Sequence, residues 1–472
     1  MNRNQSKMSP IMLLTSVSKL TWIASTCGFV SAAPHITGIE MTPDKDLQIT
    51  CEATPGVTLI LQSSPDLISP YTVVPESERT CPEDGAVTWS IGVGDKTRGF
   101  YRVRSEKSLL TWADIENGFQ GTFVLPMAEE GDYRFGYSSA VHAQLANGNI
   151  LAVGHPYYPR QAQLRLPDTL DGREATKVGP WIDFTKGIYP DGWNGGPDYV
   201  LGGMLELNNR IHFAKHQWYN GADVDWQTQG YYQGAYDGSG TVAGVWNVSG
   251  AYAHHSRVGG YLSYAPSRLR DDGFDYLAGL QGISGAATGR WGPNLFAIRV
   301  DGLDGALPSA PLICHDSEQH QPPGWWIANK ATSGIWIETD AHHCVLFFVY
   351  EGLGGKWYGQ DSVGGLTDPY GGGSGYHAEG WTLGVWIYHP ADLIAVYDGE
   401  REPWSLTPVE KVELIRRAPG SSTETELRTF TGSAKSELKV SLRDGRLIVL
   451  QPEAYQASEW ERTPKGYVFQ LQ

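Results

Sequence analysis

Basic side chains are in short supply: 36 lysines and arginines stand against 52 aspartates and glutamates in 472 residues, a formal charge of −16. Binding to nucleic acid or to an anionic membrane is driven by basic groups neutralising phosphate, so this balance, with no basic arm, argues against both partners. Long apolar runs are missing as well. No stretch beyond the N-terminus reaches the roughly 18 apolar residues of a spanning helix, and membrane insertion is not expected. Cysteine is scarce, at five, and no Cys-x-x-Cys element occurs, which counts against zinc held through cysteine. No Gly-x-Ser-x-Gly elbow is present, which disfavours serine-hydrolase chemistry. The stretch Tyr376-His377-Ala378-Glu379-Gly380 lacks the paired histidines of a zincin helix. Gly352-Leu353-Gly354-Gly355 follows a strand-like run but opens no helix, so it reads as a turn and not as a phosphate loop.

What the chain does have is 57 glycines, 24 tyrosines and 17 tryptophans, the profile of many short strands joined by glycine-rich turns. An all-β fold is expected, with two or three domains at this length. Arg3 and Lys7 precede an apolar stretch, residues 20–30, that closes on Val30-Ser31-Ala32, a pattern suited to signal-peptide cleavage. Residues 1–33 are therefore expected to be a signal peptide and the mature chain to be secreted or periplasmic; the long n-region and Lys19 at the edge of the apolar run leave a membrane anchor or an alternative start codon as the alternative. Cys27 would leave with that segment. Cys51, Cys81, Cys314 and Cys344 remain, an even number that suits an oxidising compartment. Pairing by neighbourhood predicts Cys51 with Cys81 and Cys314 with Cys344.

Residues 35–106 alternate apolar and polar positions between proline and glycine turns, as in residues 47–50 and 57–61, which predicts a β-sandwich. The run Gly56-Val57-Thr58-Leu59-Ile60-Leu61-Gln62-Ser63-Ser64-Pro65-Asp66-Leu67 and the closing Phe100-Tyr101-Arg102-Val103 resemble fibronectin-like accessory modules of verrucomicrobial secreted proteins. That resemblance implies no catalysis. From residue 112 to 410 a loose unit recurs, an apolar strand after a polar turn, at 145–154, 199–213, 292–300, 344–351 and 385–396. A spacing of roughly 45 to 60 residues suits one four-stranded blade per unit, so a β-propeller is expected, of five blades, with six or seven open. Leu151-Ala152-Val153-Gly154-His155, Gly259-Gly260-Tyr261-Leu262, Arg290-Trp291-Gly292-Pro293 and Trp386-Ile387-Tyr388-His389 give this body a resemblance to uncharacterised bacterial secreted propellers. The resemblance brings no activity with it. Residues 411–472 read as a short appended β element.

Fourteen tryptophans and tyrosines fall between Trp181 and Tyr264. Aromatic rings are stacking platforms for sugars, since they offer flat apolar area with a polar tip; they also wedge between propeller blades. Trp193, Trp218, Trp226 and, outside this segment, His155 are the expected substrate contacts. His212 and His216 share a strand face, because the side-chain period is two, and Tyr219 follows. His255 and Arg257 come soon after. His216, Tyr219, His255 and Arg257 are expected to meet at one mouth of the propeller as the base, acid and cation of an elimination. Asp198 and Asp225 are the carboxylates a hydrolase would use.

Three functions fit these residues: a polysaccharide lyase acting on a uronate-containing glycan, a glycoside hydrolase with paired carboxylates, and a non-catalytic glycan-binding propeller. The acidic charge is no obstacle to an anionic polymer, because residues 155–300 hold twelve basic and thirteen acidic side chains. The lyase is slightly preferred. The expected partner is a polysaccharide, met by a monomer; no cofactor is called for, and a structural calcium or zinc ion stays open.

Overall fold

The computed structural model describes residues 12–14, 20–21, 35–44, 46–53, 58–64, 72–92, 100–187, 199–217, 227–280, 291–300, 305–326, 328–358, 361–362, 376–430 and 437–471. They divide into two compact units, Met1–Leu110 with Glu338–His343, and Thr111–Ile337 with Cys344–Leu471. Among the described residues no helix is long and apolar enough to cross a membrane.

In the first unit, His35–Met41, Asp46–Glu52 and Ala86–Gly92 form one antiparallel sheet. Thr58–Ser64 and Phe100–Glu106 pair at the centre of a second. Strand alternation explains the sandwich: Leu47, Ile49 and Cys51 turn one way and meet Leu59, Leu61, Tyr101 and Val103 in a common core, while the residues between them stay half-exposed.

The second unit is a five-bladed β-propeller. The first blade is the antiparallel meander His142–Gln144, Ile150–Val153, Gln161–Arg165 and Thr176–Ile182. Tyr199–Leu207, Arg210–Gln217, Gln227–Gln233 and Thr241–Ser249 make the second. The third is Leu262–Tyr264, Tyr276–Ala278, Leu295–Ile298 and Ala306–Ile313. The fourth comprises Lys330–Glu338, the part of His342–Tyr358 from Cys344 onward, Tyr376–Tyr388 and Glu410–Arg417. Lys439–Arg443, Arg446–Gln456 and Arg462–Gln470 begin the fifth, and its fourth strand, Phe119–Val124, comes from the start of the unit, with Asp171–Glu174 paired outside it. The pairing of the unit's first strand with its last closes the ring.

Five blades match the expectation, but their bounds differ. Residues 439–470 are no appendage; they supply three strands of the fifth blade. The recurrent stretch 385–396 is part of the fourth blade's third strand plus the helix Pro390–Tyr397, and is not a blade of its own. Strand periodicity is the same in a blade and in an added hairpin, so only the pairing with Phe119–Val124 distinguishes them.

Each blade buries both faces, which is why the strands read as continuous apolar runs. Residues 344–349 are all fully buried. Val345, Phe347 and Val349 pack with Tyr261, Leu295 and Trp336, whereas Phe348 meets the edge of Trp112. Ile211, Phe213 and Tyr232 join Leu151 and Val153 between blades one and two. Phe123, Ile150 and Val468 do the same between blades five and one. Tyr232, one of the fourteen aromatics of that segment, is thus an inter-blade wedge.

Candidate functional site

The leading ends of all five innermost strands converge on the propeller axis and line one recess. Val141 precedes the first of them, Val200 and Leu201 begin the second, Tyr261 precedes the third, Lys330 begins the fourth, and Glu437 and Lys439 open the fifth. His216 reaches the same recess from the second strand of blade two. Glycine brings it there. A Cβ on Gly259 would lie 2.2 Å from the Lys215 carbonyl oxygen, and one on Gly202 would lie 2.5 Å from the Gly259 oxygen. The link from blade two to blade three therefore runs in direct contact with the strand carrying His216, a closeness that only a residue without Cβ permits.

That contact sets the histidine's protonation. The Gly259 carbonyl lies 3.0 Å from Nδ1 of His216. A carbonyl only accepts, so Nδ1 holds the proton and Nε2 keeps its lone pair. Burial pushes the imidazole down to about 4, with the Lys439 ammonium adding to the shift and Gly259 and Glu437 opposing it. His216 is a neutral base at physiological pH.

Glu437 stands between two ammonium groups, Lys439 Nζ at 3.4 Å and Lys330 Nζ at 3.6 Å. Desolvation would raise its carboxyl, but the Lys439 and Lys330 ammonium groups carry it down to about 2. Lys439 also donates to the Thr332 carbonyl at 3.0 Å. The recess thus holds an ionised carboxylate, two cations and a neutral imidazole, a local charge of about +1. Among the described residues no second carboxylate lines it.

Below the recess the axis narrows past Gly203, Ser333 and Val440, then past Met204, Ile335 and Leu442. The far end is shut. Arg443 pairs with Glu206 at 2.7 Å, Glu206 also accepts from the Tyr236 hydroxyl and the Ala146 amide, and the Tyr264 hydroxyl donates to the Glu206 carbonyl at 2.9 Å. This cluster crosses the axis at the end away from His216.

The expected site residues scatter. His216 lies in the recess. His255 and Arg257 sit on the short helix His255–Val258 that leads into Gly259, and both are buried. Arg257 donates to the Tyr252 carbonyl at 2.6 Å and the Asp316 carbonyl at 3.3 Å, so its guanidinium ties two inter-blade segments together. His155 follows the strand Ile150–Val153, and its Nδ1 accepts from the Tyr157 amide at 3.2 Å; burial and then Arg134 lower its pKa. Asp198, Tyr219, Asp225, Trp193, Trp218 and Trp226 lie outside the described residues. Lys330, Glu437 and Lys439 were missed by the sequence reading. The available signal was a charged residue at the start of an apolar strand that heads a blade.

The expected disulfides are not formed. Cys51, Cys81, Cys314 and Cys344 are buried free thiols. Cys51 and Cys81 share one core, but the Cys81 thiol donates to the Ala53 carbonyl at 3.3 Å. Cys314 and Cys344 answer to different surroundings, Arg257 and Asp316 for the first and Glu410 for the second. Among the described residues no three His, Cys, Asp or Glu side chains gather as a metal site requires.

No family model and no curated protein matches the chain. Solved structures with a related strand layout include an exo-1,5-alpha-L-arabinanase from a bovine ruminal metagenomic library, 10% identical over 72% of this chain and 94% of that one, with a TM-score of 0.36. A PQQ-bound aldose sugar dehydrogenase from Streptomyces coelicolor is 11% identical over 72% and 97%, with a TM-score of 0.31. A luciferin-regenerating enzyme is 9% identical over 93% and 94%, with a TM-score of 0.29. Scores of this size say nothing about chemistry.

Proposed function

We propose that this protein cleaves a uronate-containing polysaccharide by β-elimination, with His216 as the base and the axial recess as the seat of the uronate carboxylate. The observation that carries the reading is the recess itself: a neutral imidazole with a fixed Nδ1–H, beside Lys330 and Lys439. In the reaction Nε2 takes the proton on the carbon next to the carboxylate. The bond to the glycosidic oxygen at the neighbouring carbon then breaks, the C4–C5 double bond forms, and the departing oxygen takes up a proton from solvent water, to which Nε2 later returns the proton it took. Negative charge builds on the carboxylate as the proton leaves, and two ammonium groups at the strand ends are where it is offset. Arg257, spent on two carbonyls, gives that role to the lysines.

A base with a conjugate acid near 4 is weak on its own. The incoming uronate corrects this, because an anion beside the imidazole favours its protonated form and raises its basicity when it is needed. Hydrolysis by paired carboxylates asks for one ionised and one protonated acid, and Glu437, held down to about 2, cannot be the protonated one. A polymeric substrate would also suit a protein exported by the signal peptide that residues 1–33 are expected to form. Incubation with alginate, polygalacturonate and arabinan, following both reducing ends and new double bonds, tests the reading. Double bonds on the uronates alone support it; reducing ends without double bonds favour the hydrolase, and binding without cleavage favours the glycan-binding propeller.

A further inference from the structure

On the face that carries the recess, the chain presents an aromatic shelf that the proposed chemistry does not use. Trp460 is 77% exposed, the most open of the large apolar side chains among the described residues, and Tyr137 is 38% exposed. Strand direction places both at the recess end. The fifth blade's second strand starts at Arg446, near the Arg443–Glu206 end of the axis, and finishes at Gln456, so the turn bearing Trp460 returns to the recess end. Tyr137 lies two residues before Ser139, which lines the recess. Behind Tyr137 stand the His155 ring, 6.3 Å away and nearly perpendicular, and then Tyr157, 5.1 Å from His155.

The shelf is built and held at a cost. Tyr137 has φ +57°, a left-handed conformation that a bulky residue adopts only when its surroundings impose it. Here the constraint is the Trp460 turn. The Tyr137 amide donates to the Arg462 carbonyl at 2.8 Å, and its hydroxyl donates to the carbonyl of Trp460. A Cβ on Gly136 would fall 2.2 Å from a carboxylate oxygen of Glu461, so the two segments close on each other without a gap. Glu461 in turn lies 3.3 Å from Arg134. Backbone strain at Tyr137 goes into holding a partly exposed ring against the turn that bears Trp460.

We infer that Trp460 and Tyr137 form a stacking subsite for a sugar ring of the same polysaccharide chain whose uronate occupies the recess. This rests on the proposed function and adds to it the claim that the protein grips several consecutive sugars. Flat exposed rings meet the apolar face of a pyranose. A rigid shelf binds with little loss of side-chain freedom.

Calorimetric titration of the full chain with alginate and polygalacturonate oligosaccharides of two to eight residues tests this, comparing wild type with Trp460→Ala and Lys439→Met. In wild type the affinity rises with length until the oligosaccharide reaches the shelf. Trp460→Ala lowers the ratio of octamer to dimer affinity by about 10- to 100-fold, the size of effect that truncating a buried aromatic anchor has, and Lys439→Met weakens every length. If Lys439→Met weakens binding but Trp460→Ala leaves the length dependence untouched, the subsite is wrong and the recess stands. If wild type binds none of these glycans, the subsite and the proposed function fall together.

Discussion

Nδ1 of His216 and the carbonyl oxygen of Gly259 lie 3.0 Å apart, joining the second strand of one blade to the link that enters the next. This single bond fixes the tautomer of the candidate base, and the absence of a side chain at Gly259 is what allows it. Gly259→Ala would press a methyl group against the Lys215 carbonyl. Overpacking of this kind costs roughly 1 to 3 kcal/mol, and the displaced ring loses its hydrogen bond. Urea unfolding should show the lost stability, and NMR of the imidazole should show a mixed tautomer where wild type has only Nδ1–H.

Acid should weaken the fold below neutrality. His142, His212, His216 and His315 are each pushed down to about 4, chiefly by burial, whereas an unfolded histidine titrates near 6.5. Between those values the unfolded chain binds protons that the native chain refuses, so stability falls as pH drops from about 6.5 to about 4. Glu437, depressed to about 2, contributes stability that is lost only as pH falls through its unfolded value, near 4.5, towards 2. The thermal midpoint should therefore begin to fall near pH 6.5, before any carboxylate titrates. A midpoint level down to pH 5 would contradict this.

The closed end of the axis depends on the Arg443–Glu206 pair. Glu206 is only 7% exposed, so Arg443→Leu leaves a nearly buried carboxylate without its cation. Loss of one partner from such a pair costs about 3 to 5 kcal/mol. Denaturation of the variant should show that loss, and the additional change Glu206→Gln should recover part of it.

Much of the fold was legible because alternating strands, Asn-Gly turns and long apolar runs such as residues 344–349 report directly on sheets buried on both faces. The site was less so. His216 stood out as a histidine on a strand, but Lys330 and Lys439 gain meaning only when strands 109 residues apart in sequence meet at an axis. Arg257 shows the opposite error. Proximity in sequence placed it at a mouth, yet its guanidinium is consumed by the Tyr252 and Asp316 carbonyls. Side-chain chemistry can be read from a sequence; what each group has already bonded to cannot.

Cysteine pairing failed for a related reason. An even count and short separations describe a disulfide framework, but they do not measure where thiols point. Burial pushes the thiols of Cys51 and Cys314 up to about 12, and since the thiolate is the reactive form, none should react with a thiol reagent in the native protein. Denaturation should release the thiols of Cys51, Cys81, Cys314 and Cys344 together. Cross-linked peptides joining Cys51 to Cys81 under non-reducing conditions would overturn this.

The base is tested first through pH. In the free enzyme kcat/KM should have its acid limb near the His216 value of about 4, while kcat, which reports the bound state, should have a limb displaced upward by the substrate's carboxylate. Identical limbs would mean that the uronate does not sit beside His216.

The most direct measurement is the ultraviolet absorbance of the unsaturated product, recorded with wild type, His216→Ala and Lys439→Met on alginate and polygalacturonate. The wild-type protein is expected to produce the C4–C5 double bond on at least one of them. His216→Ala should lower the rate about 100- to 1,000-fold, in the range typical for losing a positioned base, and Lys439→Met should lower it comparably. Elimination that proceeds undiminished without the His216 imidazole, or chain cleavage that never produces a double bond, would contradict the account.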